Sequence, residues 1–142
     1  MTEQLLKVKP SADGWTLSEH FAHVKECRTG WLREASGQPI AGEVSLYQKV
    51  GENWEATTDF ALIQSQLSLT QGAIADWMKK SLADGTQKAG PYDHPVMYLQ
   101  HMIWHEGWHA GLIMLGMRLA GVEPAEEWEE LNLWANWRDA EI

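Results

Sequence analysis

One stretch of the sequence, residues 95–120, constrains the fold more than any other. It begins at a proline, contains no second proline, and is apolar along most of its length. Proline is favoured at the first position of a helix, and a glycine followed closely by a proline is a typical helix stop. Gly121 and Pro124 supply that stop. We therefore predict one long helix from Pro95 to Ala120.

Three histidines follow one face of this predicted helix. His101, His105 and His109 are spaced four residues apart. At about 100° per residue, each step of four advances by only about 40° around the axis. The same face carries three leucines, which are Leu112, Leu115 and Leu119. We expect this face to point its imidazoles into a helical bundle.

Buried imidazoles need partners for both ring nitrogens, and neighbouring imidazoles repel one another when protonated. A divalent metal satisfies several of them together, and two histidines at i, i+4 can hold one ion from a single helix. His105 and His109 can supply two ligands, which suit zinc, nickel or iron alike. A catalytic ion takes a third protein ligand and keeps one open position. The alternative is that the histidines only line a pocket.

The third ligand would come from an earlier predicted helix. That helix begins at residues 16–19, which have the S/T-x-x-E form of a capping box, and ends by Gly37. It offers His20, His23 and Cys27. The helical wheel slightly favours His20, which borders the apolar arc. A lone helical cysteine is more often a small buried side chain than a ligand.

The rest of the chain adds two further segments with helical patterns. One runs from Thr57 or Thr58 to Asp84, and the other begins near Pro124. Residues 38–54 contain a short alternating run that we interpret as a loop, because a lone strand cannot support itself. The final segment carries three tryptophans, which are Trp128, Trp134 and Trp137. These patterns predict an all-α bundle formed by a single domain over residues 1–142.

The charge balance limits the partners of this chain. It has 11 Lys and Arg against 20 Asp and Glu, a formal net charge of −9. A strongly acidic chain is poorly suited to nucleic acid or to an anionic membrane. Its single cysteine fits a reducing cytoplasm, and no apolar run reaches membrane-spanning length. We expect a cytoplasmic protein, with neither membrane nor nucleic acid as partner, that acts on a small molecule.

Several side chains beside the histidines are candidates for a substrate pocket. Arg28 lies inside an apolar arc, where it must pair with a carboxylate or bind an anionic substrate group. Trp104 and Trp108 flank the histidine stripe and are candidate pocket walls. Tyr98 shares the histidine face and has a hydroxyl that can bind a substrate. His20 and His101 complete the candidate pocket set.

The segment His105-Glu106-Gly107-Trp108-His109 also matches the H-E-x-x-H pattern of zinc proteases. In that interpretation Glu106 is the general base, and Glu126 or Glu129 is the third ligand. Such proteases bind extended peptides along an edge strand, and strand patterns are scarce in this chain. This metallohydrolase is our alternative hypothesis.

Two segments resemble motifs of the DinB/YfiT-like family. Residues 15–23, WTLSEHFAH, resemble the start of that family's metal-binding helix, and residues 105–111, HEGWHAG, resemble its second motif. The closing Gly121, Trp134 and Trp137 also resemble the family's tail. The resemblance implies an antiparallel four-helix bundle with a divalent metal held by three histidines. Carried over by position, they are His23, His105 and His109. The resemblance, and not the wheel, selects His23 over His20.

Similar proteins include thiol-dependent transferases and isomerases that act through a metal-activated thiolate. The resemblance therefore implies a metal-dependent enzyme of the transferase or hydrolase class, in which a water or a low-molecular-weight thiol is activated. The other class left open is a non-enzymatic protein that binds a metal or a small ligand. Ala110 and Leu112 stand where the family often has Arg and Gln, so contacts around the pocket differ.

The resemblance also implies a full first helix, for which this chain has little room. Only fourteen residues precede Trp15, and few of them are apolar. We expect this helix to be shortened or missing, which would leave an apolar groove. A second copy would close that groove, and homodimers are the commonest oligomers.

Overall fold

The structure is a computed structural model that describes residues 1–131. Its elements, in chain order, are α1 (Glu3–Leu6), α2 (Leu17–Ser36), β1 (Tyr47–Val50), β2 (Asn53–Ala56), α3 (Phe60–Ala83), α4 (Pro95–Leu119) and α5 (Glu126–Glu129). Three long helices dominate, so the predicted mostly helical fold is confirmed. Within these residues, no helix combines the length and apolarity that crossing a membrane requires. The predicted tail residues Trp134 and Trp137 lie outside the described part.

The ends of the long helices follow local sequence signals. Thr16 caps α2 by accepting from the Glu19 N–H at 3.2 Å, and the Glu19 carboxylate accepts from the Thr16 N–H at 2.7 Å. Gly37 ends α2 at φ +71°, in the left-handed region that favours glycine. His94 caps α4 by accepting from the Val96 N–H at 3.2 Å. These predicted boundaries are confirmed.

The first helix, α1, is a single turn capped by Thr2. Its two leucines are buried, and Leu6 packs against Ala22 of α2 and Ile63 of α3. The expected shortening of this helix is therefore seen. Its completion by a second copy stays a prediction.

The interpretation of residues 38–54 as a loop is wrong in its second half. Strands β1 and β2 pair antiparallel from Tyr47–Ala56 to Val50–Asn53. Gly51, in the turn between them, has φ +61°, which glycine adopts at little cost. The alternating run is not a lone strand, because its partner follows directly across the turn. Leu46, just before β1, is buried and packs the start of the hairpin against the hydrophobic core.

The buried face of α4 is centred differently from the predicted one. Its buried residues are Pro95, Tyr98, Met102, His109, Ile113 and Gly116. Leu115 and Leu119 are 44% and 65% exposed, so the prediction that they share a buried face with the histidines is wrong. The buried arc of α4, which faces α2 and α3, is centred near His109. The helical wheel had centred the predicted buried face about 60° away from His109 around the helix axis. His101 lies at the edge of this arc, and the two leucines lie beyond it.

Candidate metal centre

The structure brings together the three histidines that the family resemblance selected. His23 comes from α2, and His105 and His109 come from successive turns of α4. Each offers one ring nitrogen, and these nitrogens all lie within 4.8 Å of one another. His23 Nε2 and His105 Nε2 are 3.1 Å apart. Sequence reasoning from the wheel left His20 and His23 open, and the grouping contains His23.

In this group, which we call the histidine centre, one pair of nitrogens has the spacing of metal ligands, and all three lie within 4.8 Å of one another. In a tetrahedral zinc site with bonds of about 2.0–2.1 Å, two ligand nitrogens lie about 3.3 Å apart. The measured 3.1 Å between His23 Nε2 and His105 Nε2 is close to that spacing. Two imidazole lone pairs at this distance repel unless a hydrogen or a cation lies between them. The donor set consists of imidazoles, which suit zinc, nickel and iron.

His20 lies next to the histidine centre without belonging to it. Its Nδ1 is 2.9 Å from His109 Nδ1, and both residues are buried. A hydrogen bond here occupies His109 Nδ1 and leaves the other ring nitrogen, Nε2, available to a metal. Metal-binding histidines are usually oriented in this way by a partner on the second ring nitrogen. His20 is thus placed to hold the ring of His109.

Burial keeps the imidazoles of the histidine centre neutral. Burial, assisted by the nearby His105, His23 and His20, lowers the pKa of His109 to about 4. Burial is also the main cause that lowers the pKa of His105 and of His23. A lowered pKa favours the unprotonated ring, which is the form that binds a metal.

Trp15 covers the histidine centre, a contact that sequence reasoning missed. Its ring centroid is 4.9 Å from that of His23 and 5.9 Å from that of His109, to which it is nearly parallel at 7°. Trp15 belongs to the segment before α2, where no helical spacing predicts the position of a side chain. Its place in the first family-like motif was the available signal.

Cys27 lies one turn after His23 and touches it. Its Sγ is 3.4 Å from His23 Nε2. Burial, with a smaller contribution from Glu26, raises the pKa of the thiol, so it stays protonated at neutral pH. Cys27 is only half-buried, so its interpretation as a small buried side chain holds in part.

Arg28 pairs with a carboxylate, which was one of its two predicted roles. Its Nε donates to Glu106 Oε1 at 2.7 Å and its Nη2 donates to Glu106 Oε2 at 2.5 Å. Its Nη1 donates to the Leu67 carbonyl at 3.0 Å. One side chain from α2 therefore binds both α3 and α4. Both carboxylate oxygens of Glu106 are engaged by Arg28, and the catalytic role of Glu106 stays a prediction.

Two further predicted pocket residues on α4, His101 and Tyr98, lie in different surroundings. His101 contacts the Tyr92 hydroxyl through its Nδ1 at 2.8 Å and lies outside the histidine centre. Tyr98 is fully buried against Trp77, and its hydroxyl has no hydrogen-bond partner within residues 1–131. Burial is the main cause that raises its pKa. Tyr98 is therefore a core side chain in this structure.

Trp104 and Trp108 lie on the outer face of α4. Their rings are stacked, with centroids 6.2 Å apart and an angle of 8° between the ring planes. The side chains are 71% and 60% exposed, respectively. Trp108 also lines a cleft that reaches the histidine centre, whereas Trp104 borders a separate hollow with Val96 and Ile103. Of the two predicted pocket walls, the structure places Trp108 beside the histidines.

The cleft, which we call the tryptophan cleft, has a volume of about 330 Å³. Its floor includes His20 and His109, and its walls include Trp15 and Trp108. This volume is at the lower end of small-molecule sites. A small molecule in this cleft would therefore lie against one member of the histidine centre.

Together these features define a mostly helical protein in which α2 and α4 place three neutral imidazoles close together. The model of the DinB family matches residues 1–139, and the chain belongs to this family. Neither the curated proteins nor the solved structures contain a match to this chain.

Proposed function

We propose that this protein binds a divalent metal ion at His23, His105 and His109 and uses it in chemistry on a small molecule. The observation that carries the proposal is the convergence of three ring nitrogens within 4.8 Å. Membership of the DinB family supports the same assignment. When bound, such a metal lowers the pKa of a water or thiol so that a nucleophile forms near neutral pH.

The residues around the histidine centre have separate tasks in this proposal. His20 holds the ring of His109 through its Nδ1, and Trp15 restricts the access of water from one side. Arg28 fixes Glu106, and with it the turn of α4 that carries His105. The tryptophan cleft admits the substrate.

A metallohydrolase based on the H-E-x-x-H pattern remains a separate candidate. It needs Glu106 as a free general base, and here both carboxylate oxygens accept hydrogen bonds from Arg28. Of its two proposed third ligands, Glu126 and Glu129, the second has a carboxylate oxygen 3.6 Å from Arg118 Nη2. These contacts favour His23 as the third ligand. If the hydrolase hypothesis is right, Glu106→Gln abolishes turnover while the metal content is unchanged.

Metal analysis tests the proposal directly. The purified protein is dialysed against zinc, nickel or iron(II) and the bound metal is measured by mass spectrometry. We expect one ion per chain and at least a tenfold loss of affinity for His23→Ala and His105→Ala. His101→Ala, which removes a histidine outside the centre, is the matched control. Absence of stoichiometric metal, or equal binding by His105→Ala, would refute the proposal.

Activity assays then separate an enzyme from a binding protein. The metal-loaded protein is tested against thiol-transfer, esterase and amidase substrates, with the His105→Ala variant as the metal-depleted control. Turnover that depends on His105 supports an enzyme. Stoichiometric metal without turnover on such a panel favours the non-enzymatic binding protein.

The proposal includes a homodimer formed through the outer face of α4. Met97, Trp104 and Leu115 recur there at spacings of seven and eleven residues, and all three are exposed. Exposed apolar stripes of this kind mark interaction surfaces. None of these residues is charged, so two acidic chains can meet here without bringing like charges into contact.

A further inference from the structure

Cys27 brings a fourth donor atom to the edge of the histidine centre. It follows His23 by four residues on α2, so the two side chains are neighbours on one face of the helix. Cys27 Sγ is 3.4 Å from His23 Nε2 and 4.0 Å from His23 Nδ1. His23 Nε2 is also the ring nitrogen that lies closest to His105. The sulfur is therefore nearer to the nitrogen that belongs to the histidine centre than to the other ring nitrogen.

The distance from this sulfur to His23 Nε2 is typical of two ligands on one metal ion. With a zinc–sulfur bond of about 2.3 Å and a zinc–nitrogen bond of about 2.0–2.1 Å, the two ligand atoms of a tetrahedral site lie about 3.5 Å apart. The measured 3.4 Å is close to this spacing. His23 Nε2 thus has two neighbours, Cys27 Sγ and His105 Nε2, at the distances expected between ligands of the same ion.

Hydrogen bonds alone do not satisfy both contacts of His23 Nε2. A ring nitrogen carries either one hydrogen or one lone pair, so it has a single hydrogen-bonding direction to offer. If His23 Nε2 shares a hydrogen with His105 Nε2, the Cys27 sulfur beside it is left without that bond, and the reverse also holds. A cation satisfies all three atoms together, because each of them then directs a lone pair at the same ion.

A small movement is enough to bring the sulfur to the ion. The three ring nitrogens form the group that lies within 4.8 Å, and Cys27 Sγ contacts His23 from outside this group. Cysteine has a single rotatable side-chain bond, and rotation to another staggered position moves Sγ by about 3 Å. Gly30, three residues further along α2, has open space where a side chain would be, so that position does not obstruct the rotation.

We propose that Cys27 is the fourth ligand of the metal ion at the histidine centre. The proposal rests on the proposed function and deepens it, because it names the group that occupies the open coordination position before a substrate arrives. When Sγ binds, the S–H bond of the thiol breaks, a sulfur–metal bond forms and the proton passes to water. A substrate water or thiol then has to displace Cys27.

Cobalt(II) tests this proposal through its absorption spectrum. The chain has one cysteine, so thiolate-to-cobalt absorption in the near ultraviolet comes from Cys27 once small thiols are dialysed away. We expect the cobalt-loaded protein to show this band and Cys27→Ala to lose it, while both keep the visible bands of bound cobalt. Visible cobalt bands without a thiolate band in the unmodified protein would overturn the proposal.

A relocated thiol is the matched control. Ser65 is exposed on α3, so Cys27→Ala/Ser65→Cys keeps one thiol per chain but places it on another helix. We expect this double variant to bind cobalt without a thiolate band. A band of unchanged strength would show that the thiol at position 27 is not required, and it would overturn the proposal.

Alkylation gives an independent readout that does not depend on cobalt or on turnover. The free thiolate is the form that reacts, and a sulfur bound to a metal is withdrawn from this reaction. We expect zinc to slow the modification of Cys27 by iodoacetamide at least about tenfold, and a chelator to restore the rate. In Cys27→Ala/Ser65→Cys, zinc should leave the rate unchanged. Equal rates for Cys27 with and without stoichiometric zinc would overturn the proposal.

The failure of this proposal differs from the failure of the proposed function. Metal content is measured on every sample. Stoichiometric metal without a thiolate band excludes Cys27 from the ligand set and leaves the three-histidine site in place. Absence of stoichiometric metal from the unmodified protein refutes both proposals.

Discussion

His109 occupies the centre of the buried face of α4 and belongs to the site for that reason. It contacts His20 through Nδ1, packs under the ring of Trp15 and shares the histidine centre with His23 and His105. Its burial makes protonation costly, which lowers its pKa to about 4. The same burial that prepares this imidazole for a metal therefore makes the metal-free protein sensitive to acid.

We predict that the stability of the metal-free protein falls as the pH decreases from about 6.5 to about 4. In the unfolded chain His109 takes up a proton near its ordinary pKa of 6.5, but in the folded chain only near 4. Between these values the unfolded state binds more protons, so the free energy of unfolding is greatest above pH 6.5 and decreases toward pH 4. Urea unfolding in the presence of a chelator measures this dependence.

The matched variant for this measurement is His109→Gln, which has no titrating ring. Carboxylates also titrate in this range, so the informative quantity is the difference between the two pH profiles. We expect the profile of the variant to be shallower. Parallel profiles would show that His109 does not contribute.

At the scale of elements, the site depends on how α2 and α4 are placed against each other. The Arg28–Glu106 pair joins these helices five residues after His23 and directly after His105, and Arg28 also contacts α3. The capping box of α2 lies at the other end, one turn before His20. The ion pair and the capping box both help to position the histidine centre, although neither is part of it.

Loss of the Arg28–Glu106 pair should destabilise the protein. The side chains are 13% and 27% exposed, so Arg28→Ala leaves a mostly buried carboxylate without its partner. We expect a loss of about 2 kcal/mol in the free energy of unfolding. The double variant Arg28→Ala/Glu106→Ala should lose less than the sum of the two single variants. Chemical denaturation measures all three.

An exposed ion pair provides the comparison. Lys7 and Glu3 are 62% and 63% exposed, so Lys7→Ala should lower the free energy of unfolding far less than Arg28→Ala does. If Arg28→Ala costs no more than Lys7→Ala, the pair does not hold the helices together.

The capping box predicts a second effect at the scale of elements. Thr16→Ala removes the oxygen that accepts from the Glu19 N–H, and we expect a loss of about 1 kcal/mol in the free energy of unfolding. Thr16→Ser keeps that oxygen and should retain most of the stability. Thermal and urea unfolding of the two variants measure the difference, and equal losses would contradict the assigned cap.

At the scale of the whole molecule, the outer face of α4 carries exposed apolar side chains within the described residues. Gly107 and Gly111 lie on this side with open space where a side chain would be. The absence of side chains there lets a second helix approach closely. The homodimer that the shortened first helix led us to expect stays a prediction, and on this face it is tested as follows.

We predict that the protein sediments as a dimer at micromolar concentration and that Trp104→Glu converts it to a monomer. The substitution places a carboxylate from each copy on the apolar face, where burying it is costly. Trp54→Glu is the control, because Trp54 is exposed in the hairpin, away from α4. Sedimentation of the unmodified protein as a monomer at this concentration would contradict the prediction.

The sequence by itself determined the three long helices and the ends of α2 and α4, and it placed the start of α3 two to three residues before Phe60. The signals at Thr16, Gly37 and Pro95 act through hydrogen bonds and backbone angles within a few residues, so they can be read without knowledge of the fold. The spacing of His105 and His109 likewise placed both on one side of α4. The need for Arg28 to find an anion, either a carboxylate of the chain or an anionic substrate group, also followed from its apolar surroundings.

The tertiary structure alone decided which side chains from other segments meet these elements. Helical periodicity does not say how far a neighbouring helix is rotated or shifted, so it could not choose His23 over His20. It also misjudged Leu115 and Leu119, because exposure depends on which neighbours cover a face. Trp15 comes from the segment before α2, where no period applies. Its contact with His109 results from packing between distant parts of the chain.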